Sequence, residues 1–150
     1  MRSLPGVRVT IEVAGEATDE LVAAFARLIP QLSKRSAPPS QSALAEVISA
    51  PASDVLIARR DGAMVAALTL ITFRIPTGVR AWIEDVVVDD SARGRGVGEA
   101  LNQFALELAR SKGAKTVDLT SRPSRAAANR LYQRLGFVAR DTNVYRYSLE

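Results

Sequence analysis

The sequence predicts a mixed α/β (α+β) fold in a single domain over residues 1–150. Apolar residues alternate along several short runs, as in strands, and recur every three or four positions along others, as in helices. Three strand patterns follow one another in the middle of the chain, before a helix, a strand and a helix. This order predicts an antiparallel meander that leads into a βαβ unit.

The first third of the chain contains one strand pattern and two helix patterns. The run VRVTIEVA (residues 7–14) predicts a strand. Thr18 is suited to cap a helix, because two acidic residues and a helical apolar pattern follow it. Pro30 lies near the end of that helix, and a second, short helix is predicted over Gln41–Ser49.

Three predicted strands occupy the middle of the chain. The runs DVLIARR (54–60) and AMVAALTLITF (63–73) flank Asp61-Gly62, a dipeptide typical of hairpin turns. The run VRAWIEDVVVDD (79–90), rich in Val and Ile, predicts the next strand.

The last third alternates between helix and strand patterns. An amphipathic helix is predicted from Val97, with Gly113 at its end. The run KTVDLTS (115–121) predicts a strand, RAAANRLYQRLGF (125–137) a helix, and NVYRYSL (143–149) a last strand.

The composition excludes several kinds of chemistry. The chain has no cysteine and no histidine, which excludes disulfides, thiolate metal sites and Ser-His-Asp hydrolysis, and we expect no metal. No apolar run approaches the ~20 residues of a membrane span, and the N-terminus lacks a signal-peptide pattern. We therefore expect a cytoplasmic protein with no membrane partner.

Positive charge is concentrated in one segment. Residues 91–140 contain ten Lys and Arg against three Asp and Glu, whereas the whole chain carries a net charge of +4. Such a segment suits an anionic partner, either a nucleic acid or a phosphorylated cofactor, although a solvated basic face is also consistent with it.

The run SARGRGVG (91–98) places three glycines and two arginines between a strand and a helix. A helix N-terminus attracts anions, glycines let its N–H groups approach a phosphate, and arginines pair with phosphate oxygens. We interpret the run as a diphosphate-binding loop, in preference to a tight turn that needs glycines for positive φ alone. It has no P-loop pattern, and Glu99 occupies the place of the third glycine in the dinucleotide fingerprint.

Two motifs carry a resemblance to a known family. RGRGVG is similar to the R/Q-x-x-G-x-G/A signature of the GNAT superfamily of acetyl-CoA-dependent N-acetyltransferases, with Arg93, Gly96 and Gly98 at its defined positions. AAANRLYQRLGF resembles the A-x-x-L-Y-x-x-x-G-F element of that family. The resemblance covers about residues 80–138. It implies a central mixed, mostly antiparallel sheet of six to seven strands flanked by about four helices, in which a splayed pair of parallel strands holds the cofactor.

The resemblance also implies a cosubstrate, acetyl-CoA, and the residues that bind it. Backbone groups of the glycine-rich loop would hold the pyrophosphate, and those of a bulged preceding strand would bind the pantetheine arm and polarise the thioester carbonyl. Arg125 stands where many relatives carry Asn. The expected cofactor-binding residues are Val86, Val87, Val88, Arg93, Gly94, Arg95, Gly96, Val97, Gly98, Arg125 and Asn129.

Two residues are expected to transfer protons. Tyr132 matches the family position of a general acid, although a tyrosine packed in a core is the alternative. Without histidine, the base is a carboxylate, a tyrosine, a backbone carbonyl acting through water, or bulk solvent. We rank Glu84 above Asp85, because relatives hold a base before the valine run and successive strand residues point to opposite faces.

The predicted function is direct transfer of acetyl from acetyl-CoA to a primary amine in a ternary complex, with a small-molecule acceptor bound around Thr18–Ser49. Two alternatives are a catalytically weak CoA-binding sensor and a nucleic-acid-binding module. The basic segment has few aromatic residues on which bases stack, so we expect no nucleic-acid partner. The sequence does not decide whether the protein forms a homodimer.

Overall fold

Six strands form one sheet in the order of the chain, in a computed structural model that describes residues 2–4 and 7–150. Neighbouring strands are antiparallel up to the fifth, and the sixth is parallel to the fifth. The sheet is therefore mixed and mostly antiparallel, as predicted. The strands are β1 (Arg2–Leu4), β2 (Val7–Val13), β3 (Ser53–Arg60), β4 (Ala63–Ile75), β5 (Gly78–Val88) and β6 (Val117–Asp118).

Four α-helices accompany the sheet, and the chain divides into two units, Met1–Leu119 and Thr120–Glu150. The first unit contains the sheet and three helices, and the second contains the fourth helix. None of the helices in the described part of the chain is long and apolar enough to cross a membrane. The helices are α1 (Asp19–Leu32), α2 (Gln41–Ser49), α3 (Val97–Ser111) and α4 (Ala126–Leu135).

Local signals in the sequence set the ends of these elements. The Thr18 hydroxyl accepts a hydrogen bond from the Leu21 N–H over 3.1 Å, which confirms the predicted cap of α1. Pro30 lies inside the last turn of α1, which ends two residues later at Leu32. Asp61 and Gly62 adopt positive φ values of 50° and 85°, as a tight hairpin turn between β3 and β4 requires.

Helices cover both faces of the sheet. A buried cluster joins α1 and α2 to one face, where its strand members are Val55, Ile57, Ala67 and Val87. Successive strand residues point to opposite faces, so the fully buried Leu56 and Leu68 lie on the other face. Helix α3 covers that second face, since it packs on β2 to β5 and buries Leu101 completely.

Two predicted strands differ from the structure, and one strand was not predicted. The run at 143–149 forms no strand, so that prediction is wrong, and the run at 115–121 pairs only at Val117–Asp118. Strand β1 had no pattern of its own. The physical reason is the same in each case, because a strand exists only where a neighbour supplies backbone partners, and a sequence pattern does not specify the neighbour.

Candidate cofactor and acyl-transfer site

A β-bulge interrupts β5 at the predicted site. Val87 of β5 pairs with Ala67 of β4, and Glu84 of β5 pairs with Thr69 of β4. The two pairs are three residues apart on β5 but only two residues apart on β4. The extra residue shifts the alternation of side chains, and Asp85 adopts a positive φ of 52°. Consequently Glu84 and Val87 lie on the same face of the sheet, although regular alternation would place them on opposite faces.

The Glu84 carboxylate lies on the face that α1 and α2 cover. Its partner Thr69 is two residues from Ala67, which packs in the cluster of that face. Glu84 is exposed, and its Oε1 accepts a hydrogen bond from the Trp82 indole nitrogen over 2.8 Å. The carboxylate is therefore held at a solvent-accessible point above the strand, where it can accept a proton. Asp85 is also exposed.

One edge of β5 has no strand partner next to the bulge. Parallel pairing with β6 joins only Ala81 to Val117 and Trp82 to Asp118. Within the described sheet, residues 83–88 of β5 therefore pair with β4 alone. Their outward backbone groups are positioned to bind an extended ligand as a strand would. The bulge implied by the resemblance lies between Glu84 and Val87, and the parallel pairing ends at Trp82, so both precede or adjoin Val86–Val88.

Asp89 anchors the turn that follows β5. Its Oδ1 accepts hydrogen bonds from the Ser91 N–H over 3.0 Å and the Ser91 hydroxyl over 2.9 Å. Arg27 of α1 donates to its Oδ2 over 3.2 Å and to the Met64 carbonyl over 2.7 Å. The backbone hydrogen bond from Ser91 lowers the pKa of Asp89, and the hydroxyl of Ser91 and the charge of Arg27 contribute in the same direction. These contacts connect the loop to α1.

The glycine-rich loop brings the chain into α3 through two left-handed residues. Gly94 and Gly96 have φ values of 74° and 79°, and Gly96 is the N-cap of α3. The run therefore does form a tight turn that needs glycines for positive φ, which was the alternative to a diphosphate-binding loop. A Cβ placed on Gly94 would meet no atom within 4 Å, so that side of the loop is open.

The start of α3 is suited to an anion. A helix leaves its first N–H groups without intrahelical partners, and the N-cap residue of this helix is a glycine, Gly96, which makes no side-chain hydrogen bond to them. Val97 is 2% exposed and anchors the first turn in the core, which holds the N–H groups of Val97 and Gly98 in place. Gly98 adds no side chain that would obstruct them.

The two loop arginines differ in their surroundings. Arg93 lies 3.2 Å from Asp90 through its Nε and is 58% exposed, so its charge is partly neutralised at the surface. That nitrogen also approaches the Val88 carbonyl at 3.4 Å. Arg95 is exposed.

In the second unit, Tyr132 is the buried residue of α4. It is 8% exposed, and its ring packs edge to face against Phe137 with centroids 5.7 Å apart. Burial raises the pKa of Tyr132, and the charge of Arg125 opposes this in part, so the phenol stays protonated at neutral pH. Asn129 donates to the Arg122 carbonyl over 2.9 Å and so stabilises the turn before α4. Arg125 is exposed at the N-cap position.

The predicted site residues thus fall into two groups. Glu84, Val86–Val88 and Arg93–Gly98 lie along one strand–loop–helix segment of the first unit. Arg125, Asn129 and Tyr132 lie in the second unit. Sequence reasoning missed Trp82 and Arg27, whose contacts with Glu84 and Asp89 carry no local motif.

The family assignment rests on a profile match over most of the chain. The profile described as the Acetyltransferase (GNAT) family matches residues 18–137. The chain belongs to this family. The expected acetyltransferase class is thereby confirmed at the level of the family, and the fold agrees with it.

Individual relatives are similar over shorter stretches. The mycothiol acetyltransferase of Beutenbergia cavernae is 36% identical over 78 residues, which are 52% of this chain and 25% of that protein. The glucosamine 6-phosphate N-acetyltransferase of Trypanosoma brucei brucei is 46% identical over 59 residues, which are 39% of this chain and 38% of that protein. The matches thus span much less than two thirds of these relatives.

Solved acetyltransferase structures are similar to this chain in fold. A putative acetyltransferase from Agrobacterium tumefaciens str. C58 superposes with a TM-score of 0.83, over 93% of this chain and 99% of that chain, at 24% identity. At that identity the likeness supports the fold alone.

Proposed function

We propose that this chain transfers the acetyl group of acetyl-CoA to a primary amine of a small molecule by direct attack in a ternary complex. The observation that carries the proposal is the bulge of β5 beside an unpaired strand edge, followed by a glycine-rich loop that ends at a helix N-terminus with Gly96 as its N-cap. The three features lie in sequence order on one continuous segment.

The described residues fit the parts of acetyl-CoA. The N–H groups of Val97 and Gly98, with the positive end of the α3 dipole, suit a diphosphate, and Gly94 leaves the approach open. Arg93 and Arg95 supply full positive charges beside it. The unpaired edge at Val86–Val88 suits the amide groups of a pantetheine arm, which hydrogen bond as a strand does.

Acetyl-CoA supplies the thioester that the amine cleaves, with a C–N bond formed, the C–S bond broken and free thiol released. Backbone N–H groups of Val86–Val88 stabilise the negative charge that develops on the carbonyl oxygen. Glu84 accepts the proton that the amine loses, directly or through one water, because its carboxylate is held by Trp82 and exposed. In keeping with the family resemblance, we assign the general acid to Tyr132, whose raised pKa keeps it protonated.

The acceptor is proposed to bind on the face of α1 and α2. Glu84 lies on that face, and an anionic carboxylate attracts a protonated amine as well as accepting its proton. The name of one relative, a glucosamine 6-phosphate N-acetyltransferase, favours amino sugars as the first candidates.

The test is release of free thiol from acetyl-CoA in the presence of single amines, with the product identified by mass spectrometry. The panel contains glucosamine, glucosamine 6-phosphate, aminoglycosides, polyamines and amino acids. We expect thiol release that depends on one class of amine, together with a product heavier by one acetyl group.

The matched control is Gly96→Trp, which should abolish the activity by obstructing the diphosphate site. Acetyl-CoA binding without turnover of any amine would support the sensor alternative. Salt-sensitive DNA binding without any effect of acetyl-CoA would support the nucleic-acid alternative.

A further inference from the structure

The loop between β5 and α3 begins with a half in which every backbone N–H group has a partner within the protein. The Asp90 N–H donates to the Gln31 side chain over 2.9 Å. The N–H groups of 91–93 donate to oxygen atoms of Asp89 or Asp90 over 2.9–3.4 Å. These N–H groups therefore hold the loop in shape, whereas the ones that we assign to the diphosphate belong to the start of α3.

Two side chains of α1, one helical turn apart, hold this first half of the loop. Gln31 accepts from the Asp90 N–H through its Oε1, and its Nε2 donates to the Arg27 carbonyl over 3.1 Å. Arg27 donates to Asp89 over 3.2 Å and to the Met64 carbonyl over 2.7 Å. The loop is thus fixed to α1 and, through Arg27, to the first residues of β4.

The second half of the loop is supported at its two ends. Gly94 and Gly96 adopt left-handed φ values, and a Cβ on Gly94 would meet no atom within 4 Å. Val97 is 2% exposed and fixes the far end in the core. The position of this open half therefore depends on Val97 at one end and on the half held by α1 at the other.

We propose that Arg27 and Gln31 are positioning residues for acetyl-CoA, which act on the cofactor through the loop that they hold. The inference rests on the proposed function and adds the residues that preorganise its diphosphate site. A site that is already fixed loses less conformational entropy when its ligand binds, so its anchors contribute to affinity.

Gln31 is the better probe of the two anchors. Its removal leaves no unpaired charge, whereas removal of Arg27 leaves the Asp89 carboxylate, only 14% exposed, without its ion pair. Methionine at position 31 keeps a similar length and favours a helix, but it is a poor acceptor for the Asp90 N–H. A single intramolecular hydrogen bond shifts an equilibrium by about 2–10-fold. The Kd of acetyl-CoA, measured by calorimetry, should therefore rise by about 2–10-fold in Gln31→Met.

The matched control is Gln41→Met in α2. The Gln41 side chain likewise holds a backbone group, since it donates to the Ala17 carbonyl over 2.7 Å, but Ala17 precedes α1 and Gln31 lies in its last turn. The control should bind acetyl-CoA with the Kd of the natural sequence. An unchanged Kd in Gln31→Met, or an equal rise in both variants, overturns the proposal.

The choice of donor separates positioning of the loop from a general loss of structure. S-acetylpantetheine carries the thioester arm of acetyl-CoA without its diphosphate. The ratio of kcat/KM for acetyl-CoA to kcat/KM for S-acetylpantetheine should fall by about 2–10-fold in Gln31→Met, because only one donor uses the loop. An unchanged ratio would mean that both donors are affected alike, and it overturns the proposal.

Hydrogen exchange tests the anchor itself and requires no ligand. The Asp90 amide should exchange about 2–10-fold faster in Gln31→Met than in the natural sequence, and exchange at the natural rate overturns the proposal. A natural sequence that does not bind acetyl-CoA would contradict the proposed function and this inference together. A natural sequence that binds it with the same Kd as Gln31→Met would contradict this inference alone.

Discussion

The indole nitrogen of Trp82 donates a hydrogen bond to the carboxylate of Glu84 over 2.8 Å. The two residues are two apart on β5, so their side chains share the face that α1 and α2 cover. The bulge at Asp85 begins directly after them and returns the strand to the core at Val87. The carboxylate is therefore oriented by a neighbour immediately before the strand edge that we assign to the acyl group.

Replacement of Glu84 by Gln should slow turnover while leaving the fold unchanged. The amide is similar in size and can still accept from Trp82, but it does not take a proton from the amine. A general base contributes about 10²–10⁴-fold, and we expect a loss of kcat/KM within that range. The measurement is thiol release with the best acceptor of the panel.

The control for this variant is Asp85→Asn, which changes the adjacent carboxylate. It should retain most activity if the bulge gives the two residues different roles. Equal losses in the two variants would contradict the assignment of Glu84.

Two glycine substitutions in the loop should have opposite effects. Gly96 has a φ of 79°, so Gly96→Ala should cost about 1–2 kcal/mol of folding free energy and weaken acetyl-CoA binding. Gly98 lies inside α3, where alanine is favoured over glycine by about 1 kcal/mol, and the family signature accepts alanine there. Gly98→Ala should therefore be at least as stable as the natural sequence and keep its affinity.

Chemical unfolding measures the stability of both glycine variants, and titration with acetyl-CoA measures their affinity. A Gly98→Ala protein that loses affinity as strongly as Gly96→Ala would contradict the described geometry of the helix start.

Replacement of Tyr132 by Phe should reduce turnover and retain acetyl-CoA affinity. Phenylalanine keeps the edge-to-face packing on Phe137 but has no proton to donate to the departing thiolate. The checking measurement is kcat at saturating acetyl-CoA. Normal turnover in this variant would assign Tyr132 to packing alone.

The same variant should alter the stability of the protein at high pH. Burial raises the pKa of Tyr132 in the folded state, so the unfolded chain ionises first as pH rises above about 10. The stability that the neutral phenol contributes is fully present below that pH and is lost as pH rises through the folded pKa. The free energy of unfolding should therefore fall less steeply above about pH 10 in Tyr132→Phe than in the natural sequence.

Asp89 should contribute stability that depends on pH in the acidic range. Its pKa is lowered in the folded state, so its contribution is present above its unfolded pKa of about 3.9 and is lost as pH falls through the folded pKa. Asp89→Ala removes the cap on Ser91 and the partner of Arg27, and we expect a cost of about 1–2 kcal/mol at neutral pH. Unfolding by denaturant at neutral and acidic pH measures both effects, and the difference should shrink at the lower pH.

Asp90→Ala is the control for Asp89. Its carboxylate is 71% exposed and pairs with Arg93 at the surface, so removal should cost less than about 1 kcal/mol. Equal costs at the two positions would contradict the anchoring role of Asp89.

Much of the first unit could be predicted because its signals are local. Thr18 caps α1, α2 spans the predicted Gln41–Ser49, and Asp61-Gly62 turns between β3 and β4 as expected. The loop and both flanking elements of the candidate site were predicted in the same way. Each of these features depends on residues that are neighbours in the sequence.

The features that could not be predicted depend on distant partners. The contact of Arg27 with Asp89 joins residues 62 positions apart. The hydrogen bond of Trp82 to Glu84 is the exception, since it is local but no sequence motif marks it. The bulge at Asp85 was expected from the family resemblance alone, because it follows from the register with β4, which the valine run does not encode. The segment at 143–149 has the right pattern for a strand, but a pattern does not supply the edge on which a strand forms.

The melting temperature of the full chain with and without saturating acetyl-CoA tests the central claim most directly. A ligand that binds the folded state raises the melting temperature, by mass action, in proportion to the logarithm of its concentration over its Kd. We expect a rise with acetyl-CoA that Gly96→Trp loses. An unchanged melting temperature of the natural sequence at saturating acetyl-CoA would contradict the account.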